Sequence, residues 1–486
     1  MCTSVTYSTK IAIPDELRKV NEIFSSHGYK AYLVGGAVRD TLLGKPMHDW
    51  DLATNATPEQ VMDIFKKVIP TGIAHGTVTI HIFGHEIETT TFRTEAAYSD
   101  GRHPDQVSYA ATIEEDLSRR DFTMNAIAAE LETGTLIDPF GGQKDIFQKN
   151  IRTVGNPLER FDEDGLRPVR AIRFAGQLGF TIDKQTLVSL SDKTVLEKVK
   201  CISIERFRDE FSKMLLTEKP SISLRLLEKT GIMDLFIPEF KICRGCLQAD
   251  IRGYHEFDVA DHLLYATDGA QLFGDDEEPS SLLVIRLASF LHDIGKPLSR
   301  TTELWQDPKT GERHEIVHFH GHEKKGAELT QKILTRLKFP NVIIDQVTHL
   351  VLEHMFYYEN VWSDAAVRRF VVRIGKENLS ALYAVRIADI YGMHNCPVIA
   401  GSPTMLNLQE LNDRVVSVTR ENSALSLKDL KVNGTDLMSH GIPAGKILGN
   451  ILSELLETVL DSPEMNDKEK LLVLAKNIYE QKYLNA

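Results

Sequence analysis

LVGGAVRD, Leu33 to Asp40, followed by HDWDLAT, His48 to Thr54, is the most informative stretch of the chain. The apolar run Ala31 to Val34 reads as a strand that breaks at Gly35-Gly36 and passes into a helix over Val38 to Leu43. Two glycines at such a junction let backbone N–H groups approach a phosphate closely, because no side chain stands in the way. Arg39, in the first turn, adds a cation suited to a triphosphate. Alone, this is only a tight strand-to-helix connection. Asp49 and Asp51 change its meaning. Two apart on the extended segment Trp50 to Ala53, they point to one face. Side-by-side carboxylates repel unless a cation sits between them, and Mg2+, a hard ion that shares oxygen ligands with substrate phosphates, suits them. Such a two-metal site activates an attacking hydroxyl and steadies a pyrophosphate leaving group. A third carboxylate is needed from an adjacent strand, and Glu88 in HEIETTTFR is better placed than Glu86.

Further along, Val78 to Phe83 and Glu86 to Phe92 flank Gly84-His85 and predict a hairpin. RRDFTMNAIA, Arg119 to Ala128, is expected to be a helix on which Asp121 and Asn125 share a face. With Arg120 beside them they suit a ribose and its phosphates, although Asp121 also fits a simple helix cap. In RFDEDGLRPVRAIRF, Glu163 and Asp164 precede Arg167, Arg170 and Arg173, which step by three along one helical side. An Asp164–Arg167 salt bridge is the plain explanation, and exposed pairs of that kind stabilise little. A sharper one follows from hydrogen-bond polarity. Cytosine and adenine each present an amino donor beside a ring-nitrogen acceptor, which a carboxylate and a guanidinium complement. Guanine and uracil would leave both contacts mismatched.

In this order and spacing, GGAVRD, HDWDLA, RRDFTMNAIA, DPFGG and EDGLR followed by RAIRF resemble the class II tRNA nucleotidyltransferase and poly(A) polymerase family over about the first half of the chain. The resemblance implies a DNA polymerase beta-like α/β head, then all-α neck, body, HD and tail domains, with tRNA as partner and CTP and ATP as substrates. It assigns Mg2+ to Asp49 and Asp51. It assigns triphosphate and ribose to Gly35, Gly36, Arg39, Arg120, Asp121 and Asn125. Base reading falls to Glu163, Asp164 and Arg167, with Arg170 and Arg173 nearby, and DPFGG becomes a hinge between head and neck. Enzymes of the family that add only CC are shortened in the loop that here reads SDGRHPD, at full length. That favours complete CCA addition or addition of A alone. Poly(A) polymerases of the family often have a strongly basic C-terminal tail, and KNIYEQKYLNA is not one.

A second constellation follows. His262 lies in DVADHLL, His292-Asp293 in SFLHDIGKP, His322 in HFHGHEKKG, His354 in LVLEHM and Asp389 in VRIAD. Imidazoles with carboxylates are good ligands for divalent metals. One buried histidine is usually a satisfied core residue, whereas six such groups around an adjacent His-Asp pair are not easily explained that way. The set resembles the HD phosphohydrolase superfamily. That likeness implies a core site of His262, His292, Asp293 and Asp389, completed to a binuclear one by His322 and His354, with Lys296 on a phosphate. In some bacterial tRNA nucleotidyltransferases such a domain is linked to phosphatase and 2′,3′-cyclic phosphodiesterase chemistry. His314, His318, His320 and His349 fit the pattern less well.

The 486 residues are too many for one core, and patterning places an α/β head before an all-α remainder. The expected domains are a head at 1–145, a neck at 146–215, a body at 216–253, the HD domain at 254–400 and a tail at 401–486. The acidic Gly274 to Pro279 and the polar Gln306 to Glu312 read as insertions between helices. A net charge of −13 argues against non-specific coating of nucleic acid. It leaves room for a local basic face, expected among Arg152, Arg160, Arg167, Arg170, Arg173, Arg206 and Arg208. No apolar run is long enough for a bilayer, and Met1 to Pro14 lacks signal-peptide character. Five scattered cysteines, including a lone Cys243/Cys246 pair, point to the reducing cytoplasm. Two rivals from other classes, a primary phosphohydrolase and a tRNA-binding scaffold, fail to explain the paired carboxylates at Asp49 and Asp51.

Overall fold

The computed structural model describes residues 8–47, 49–73, 76–96, 106–248, 253, 256–273, 279–399, 401–420 and 425–484. The chain forms two compact units, Met1–Pro238 and Glu239–Ala486. In the first, helix Asp15–Ser26 buries Leu17, Val20 and Phe24, the i, i+3, i+4 spacing of an amphipathic helix. The strands are β1 (Ala31–Val34), β2 (Trp50–Thr54), β3 (Val68–Gly72), β4 (Thr77–Ile82), β5 (His85–Thr91), β6 (Arg93–Ala96), β7 (Gln106–Tyr109), β8 (Ala128–Glu130) and β9 (Leu136–Ile137). Seven make one mixed sheet in the order β3-β4-β5-β2-β1-β8-β9, and β6 pairs with β7 separately. β2 runs parallel to β5, and every other pair in the main sheet is antiparallel. The expected hairpin is β4–β5, and its register sets Thr79 opposite Glu88. The parallel pairing sets Asp51 opposite Glu88.

RRDFTMNAIA does not form the expected helix. Only Thr123–Asn125 makes a short 3-10 turn before β8 begins. Phe122 to Ala128 are all buried, polar Thr123 and Asn125 included, so burial here follows no helical period. The backbone bonds sideways instead, with Thr123 N–H donating to Arg152 O at 2.9 Å and Val154 N–H to Asp121 O at 3.1 Å. DPFGG, expected as the hinge, forms a hydrogen-bonded turn. Asp138 accepts from the N–H groups of Gly142 (2.7 Å) and Gln143 (2.9 Å), and Arg152 donates to Phe140 O at 2.9 Å. A Cβ on Gly142 would lie 2.1 Å from Thr123 O, so no larger residue fits there.

Beyond Gly142 helices dominate: Pro157–Glu163, Leu166–Leu178 and Ile204–Leu215 carry the arginine-rich segment. β10 (Asn150–Ile151) and β11 (Thr181–Ile182) form a minimal parallel pair. In the second unit helices Val259–Gly269, Pro279–Leu291, His322–Arg336, Asn341–Glu353 and Leu379–His394 surround the second constellation. The all-α expectation fails here at one place. β12 (Thr301–Gln306) and β13 (Arg313–His318) are an antiparallel hairpin, so the polar stretch expected as an insertion is its tip. Every residue of β12 is exposed, which removes the alternation by which a half-buried strand is recognised. Residues 274–278 of the other expected insertion lie outside the described residues, and Pro279 opens a helix. A separate apolar cluster, including Ile451, Leu455, Val459, Leu471 and Ala475, holds the last helices together.

Candidate functional site

Gly35 ends β1 at φ +69° and ψ −131°, a backbone region essentially reserved for glycine. A Cβ built on it would lie 3.0 Å from Arg120 Nη1 and 3.7 Å from Asp51 Oδ2. The missing side chain therefore brings the turn, a guanidinium and a carboxylate to one point. Asp51 is half-buried on β2, and Asp49 is exposed in the bend before it. Burial raises the Asp51 pKa, Glu88 and Asp49 raise it further, and Arg120 lowers it, with the outcome at about 6. Crowded carboxylates that resist ionising together mark a place that gains from a cation. Glu86 is turned to His81, at 3.5 Å, whereas Glu88 stands opposite Asp51 in the parallel pair. The three head carboxylates do not converge into a tight ligand cluster. Among the described residues, groups of three or more ligand atoms within 4.8 Å of one another occur only in the second unit.

The remaining head residues form a network. Arg39 is buried and donates to Asp40 (2.9 and 3.0 Å) and to Asn125 Oδ1 (2.8 Å), so it braces the site rather than standing open. Asn125 donates to Asp121 at 3.1 Å, and Arg170 donates to the other Asp121 oxygen at 2.8 Å. Burial would raise the Asp121 pKa, but Arg170 and Asn125 hold it down at about 2. Arg39, Arg170 and Arg173 all lie over the Phe174 ring, at 5.2, 5.4 and 3.8 Å. Among the described residues, the buried Nε of Arg120 has no hydrogen-bond partner.

Arg167 N–H donates to Asp164 O at 3.0 Å, but the two side chains do not pair. Asp164 is extended between two helices, accepts from Leu166 N–H at 2.9 Å and takes Arg206 at 2.7 Å. Arg167 is bonded to Glu163, to Arg160 O at 3.0 Å and to Arg119 O at 3.0 Å. Arg173 is bonded to Glu210. These partners, Arg206 and Glu210 one turn apart on a later helix, had no signal in the local motif because they arrive from about forty residues away. The loop SDGRHPD lies outside the described residues.

In the second unit the expected ligands do converge. His262, His292, Asp293 and Asp389 form one group and Asp293, His322 and His354 another, all buried. Asp293 joins them, with Oδ2 at 3.2 Å from the Nε2 atoms of His262 and His292, and Oδ1 at 3.1 and 3.6 Å from those of His322 and His354. Asp389 Oδ1 closes the first group at 3.3 Å from His262. His292, His322 and His354 each turn Nδ1 to the carbonyl three residues back, at 2.7–2.8 Å. Donation from Nδ1 directs each Nε2 lone pair inward. Two facing Nε2 atoms, His262 and His292 at 3.0 Å, need a shared proton or a cation between them. Burial disfavours charge on His292, yet Asp293 and Asp389 push its pKa up to about 10. The donor set fits a divalent transition metal. Lys296 Nζ lies 2.6 Å from Asp293 and donates to Gln248 at 2.6 Å, while Arg386 donates to Asp389 at 2.7 Å. A cavity of about 680 Å³ opens onto this centre, lined by Lys296, Phe319 and Arg386 among others. His349 bonds Ile374 O instead, and His318 and His320 line the cavity without joining the ligand set.

Comparison with known proteins agrees with this architecture. The profile of the poly A polymerase head domain matches residues 31–152, that of the probable RNA and SrmB-binding site of polymerase A matches 179–243, and that of tRNA nucleotidyltransferase domain 2 matches 323–475. A CCA-adding enzyme of Ligilactobacillus salivarius is 33% identical over 480 residues, covering 97% of this chain and 98% of that relative. The chain belongs to the CCA-adding enzyme family of nucleotidyltransferases. Other alignments are more local: a CCA-adding enzyme of Levilactobacillus brevis is 46% identical over 231 residues, which span 47% of this chain and 57% of that relative. The crystal structure of the Bacillus stearothermophilus CCA-adding enzyme in complex with CTP matches with a TM-score of 0.71 at 29% identity, covering 97% of this chain and 99% of that one. Among the described residues, no helix is long and apolar enough to cross a membrane.

Proposed function

We propose that this chain adds C, C and A in turn to the 3′ end of tRNA, using CTP and ATP and releasing pyrophosphate. The observation that carries this reading is Asp51, crowded by Asp49 and Glu88 and set beside Gly35 and Arg120, in a chain of the CCA-adding family. Asp49 and Asp51, with Glu88 across the parallel pair, would hold Mg2+, which when bound supplies charge stabilisation at the reacting phosphate. The 3′ hydroxyl gives up its proton to solvent and attacks the α-phosphate, the bond from the α-phosphorus to the bridging oxygen breaks, and the negative charge that leaves with pyrophosphate is met by Arg120. Asp121 and Asn125 orient the ribose within the network that Arg39 and Arg170 brace. Asp164 and Arg167 read the base edge. Arg206 and Glu163 hold them in place, and each side chain would meet the base with hydrogen-bonding capacity its protein partners leave over. The cytoplasm, where tRNA matures, suits the free thiols of Cys201, Cys243, Cys246 and Cys396.

The deciding experiment supplies transcripts ending before CCA, after C and after CC, with Mg2+ and with CTP and ATP singly or together. Growth of the first transcript by three nucleotides only with both substrates is the expected result. Extension of the CC-ending transcript alone, by one A, would make this an A-adding enzyme. Substitution Gly35→Ala forces a side chain into a strained backbone region and against Arg120. It is expected to cost about 1–3 kcal/mol of stability, read in a urea titration, and to weaken CTP binding. Incorporation should also fall as pH drops through about 6, because Asp51 then takes up a proton. Metal and proton compete for that carboxylate, so tenfold more Mg2+ should move the acid limb down by up to about one pH unit. An acid limb indifferent to Mg2+ would dissociate it from Asp51.

A second activity is supported by Asp293, whose two oxygens serve both ligand groups of the second unit. We infer a binuclear metal centre that hydrolyses phosphate esters, with Lys296 and Arg386 placed in the cavity to meet the phosphate. Metal analysis of the purified chain and turnover of p-nitrophenyl phosphate or 2′,3′-cyclic AMP test it. A chain that loads no metal fails the first test.

A further inference from the structure

Asp116 is a buried carboxylate, only 1% exposed, in helix Ile113–Ser118. The helix is placed firmly. Thr112 and Glu115 form a reciprocal cap at its start, and Ile113 and Leu117 pack into a core with Val34, Ala53 and Ala126. Asp116 thus stands at a position the sheet determines. Its Oδ1 accepts from Arg119 Nε at 3.0 Å and Arg119 Nη2 at 2.8 Å, and its Oδ2 accepts from Arg120 Nη2 at 3.3 Å. One carboxylate therefore holds two consecutive arginines with different tasks. Arg119 O accepts from Arg167 Nη2 at 3.0 Å, beside the base-reading pair. Arg120 reaches the other way, to the point beside Gly35 that Asp51 also approaches.

We propose that Asp116 is a positioning residue that restrains Arg120, keeping the guanidinium free for the triphosphate and off the Asp51 carboxylate. The proposal rests on the nucleotidyl-transfer reading of the head. Its physical basis is competition between two carboxylates for one cation. Arg120 lies in the field of both, and its hydrogen bond to the firmly placed Asp116, at 3.3 Å, holds it against the pull of Asp51 with Glu88 and Asp49. Remove the charge at Asp116 and Arg120 turns to Asp51. That new ion pair would occupy the oxygen needed for Mg2+ and withdraw the cation needed for the phosphates. Arg120→Ala would lose the phosphate contact but leave Asp51 open. The two substitutions therefore separate in their demand for metal.

The test uses the full chain as wild type, Asp116→Asn, Arg120→Ala and the double variant. CTP affinity is measured by calorimetry in EDTA, and the Mg2+ concentration for half-maximal CTP addition is measured separately. Asp116→Asn is expected to weaken CTP binding in EDTA and to raise the Mg2+ requirement, each by about tenfold, the loss of one charge-assisted hydrogen bond. Arg120→Ala should weaken CTP binding without raising the Mg2+ requirement. In the double variant the Mg2+ requirement should return to that of Arg120→Ala alone, a coupling that general loosening of the fold would not produce. Should Asp116→Asn lose its cooperative melt, Asp116→Glu, which keeps the charge but moves it by a methylene, should shift both quantities in the same direction by a smaller factor. Unchanged CTP affinity and Mg2+ requirement in the folded variant, or a double variant that keeps the raised requirement, overturns the proposal. A wild-type chain that extends no transcript overturns both it and the nucleotidyl-transfer reading.

Discussion

Asp51→Ala is expected to lower the single-turnover rate of both C and A addition by about 10³-fold or more, the scale seen when a preorganised charge at a reacting centre is removed. Asp51 is the central carboxylate of the head. It is opposite Glu88 in the parallel pair and is coupled to Asp49 and Arg120. Asp49→Ala should act in the same direction. CTP binding in EDTA provides the control. With no divalent ion present, Asp51 repels the triphosphate, so the variant should bind CTP as well as wild type or better. A large loss of turnover with undiminished binding separates loss of the metal ligand from misfolding. Residual addition within about tenfold of wild type would sink the assignment of metal to this carboxylate, since such a loss is below that scale.

Asp293→Ala should have the largest effect on the second unit. Its carboxylate is buried, belongs to both ligand groups and is the partner of Lys296 Nζ at 2.6 Å. Removing one member of a buried ion pair leaves a charge without compensation and typically costs about 3–5 kcal/mol. Here it also deprives four inward-facing imidazoles of their shared acceptor. The expected results are complete loss of tightly bound metal, measured by elemental analysis after gel filtration, and a lower denaturation midpoint. Lys296→Met added to Asp293→Ala should recover part of the stability but none of the metal, because it removes the stranded charge without restoring a ligand. Retention of metal in Asp293→Ala would show that the two ligand groups are independent of the shared carboxylate.

Where a motif lies on a single strand or a single turn, its local structure was legible. Ala31 to Val34, Trp50 to Thr54 and the β4–β5 hairpin stand where alternation and turn residues placed them. Period two puts Glu86 and Glu88 on one face of their strand, so it could not separate them, and the register opposite Asp51 came only with the sheet. Patterning failed where burial was uniform. Asp121 to Ala129 is buried throughout, polar Thr123 and Asn125 included, so no exposed face separated a helix from a turn entering a strand. It failed again where exposure was uniform, in β12, which has no buried face to reveal it.

By itself the sequence determined the kinds of group present and their order: paired carboxylates after a glycine turn, an arginine stripe, and histidines and aspartates spread over more than a hundred residues. Which of these groups meet was decided only by the tertiary structure. Asp164 and Arg167, one turn apart, are drawn to Arg206 and Glu163 instead of to each other. Arg39, placed for a phosphate by its position in the motif, is committed to Asp40 and Asn125. His262 and His292 meet at 3.0 Å across thirty residues. The reason is physical. A charged side chain that leaves water must find its partner among whatever the packed core brings within hydrogen-bond reach. Local spacing limits which neighbours are available, but the partner is chosen by helices and strands that arrive from elsewhere in the chain.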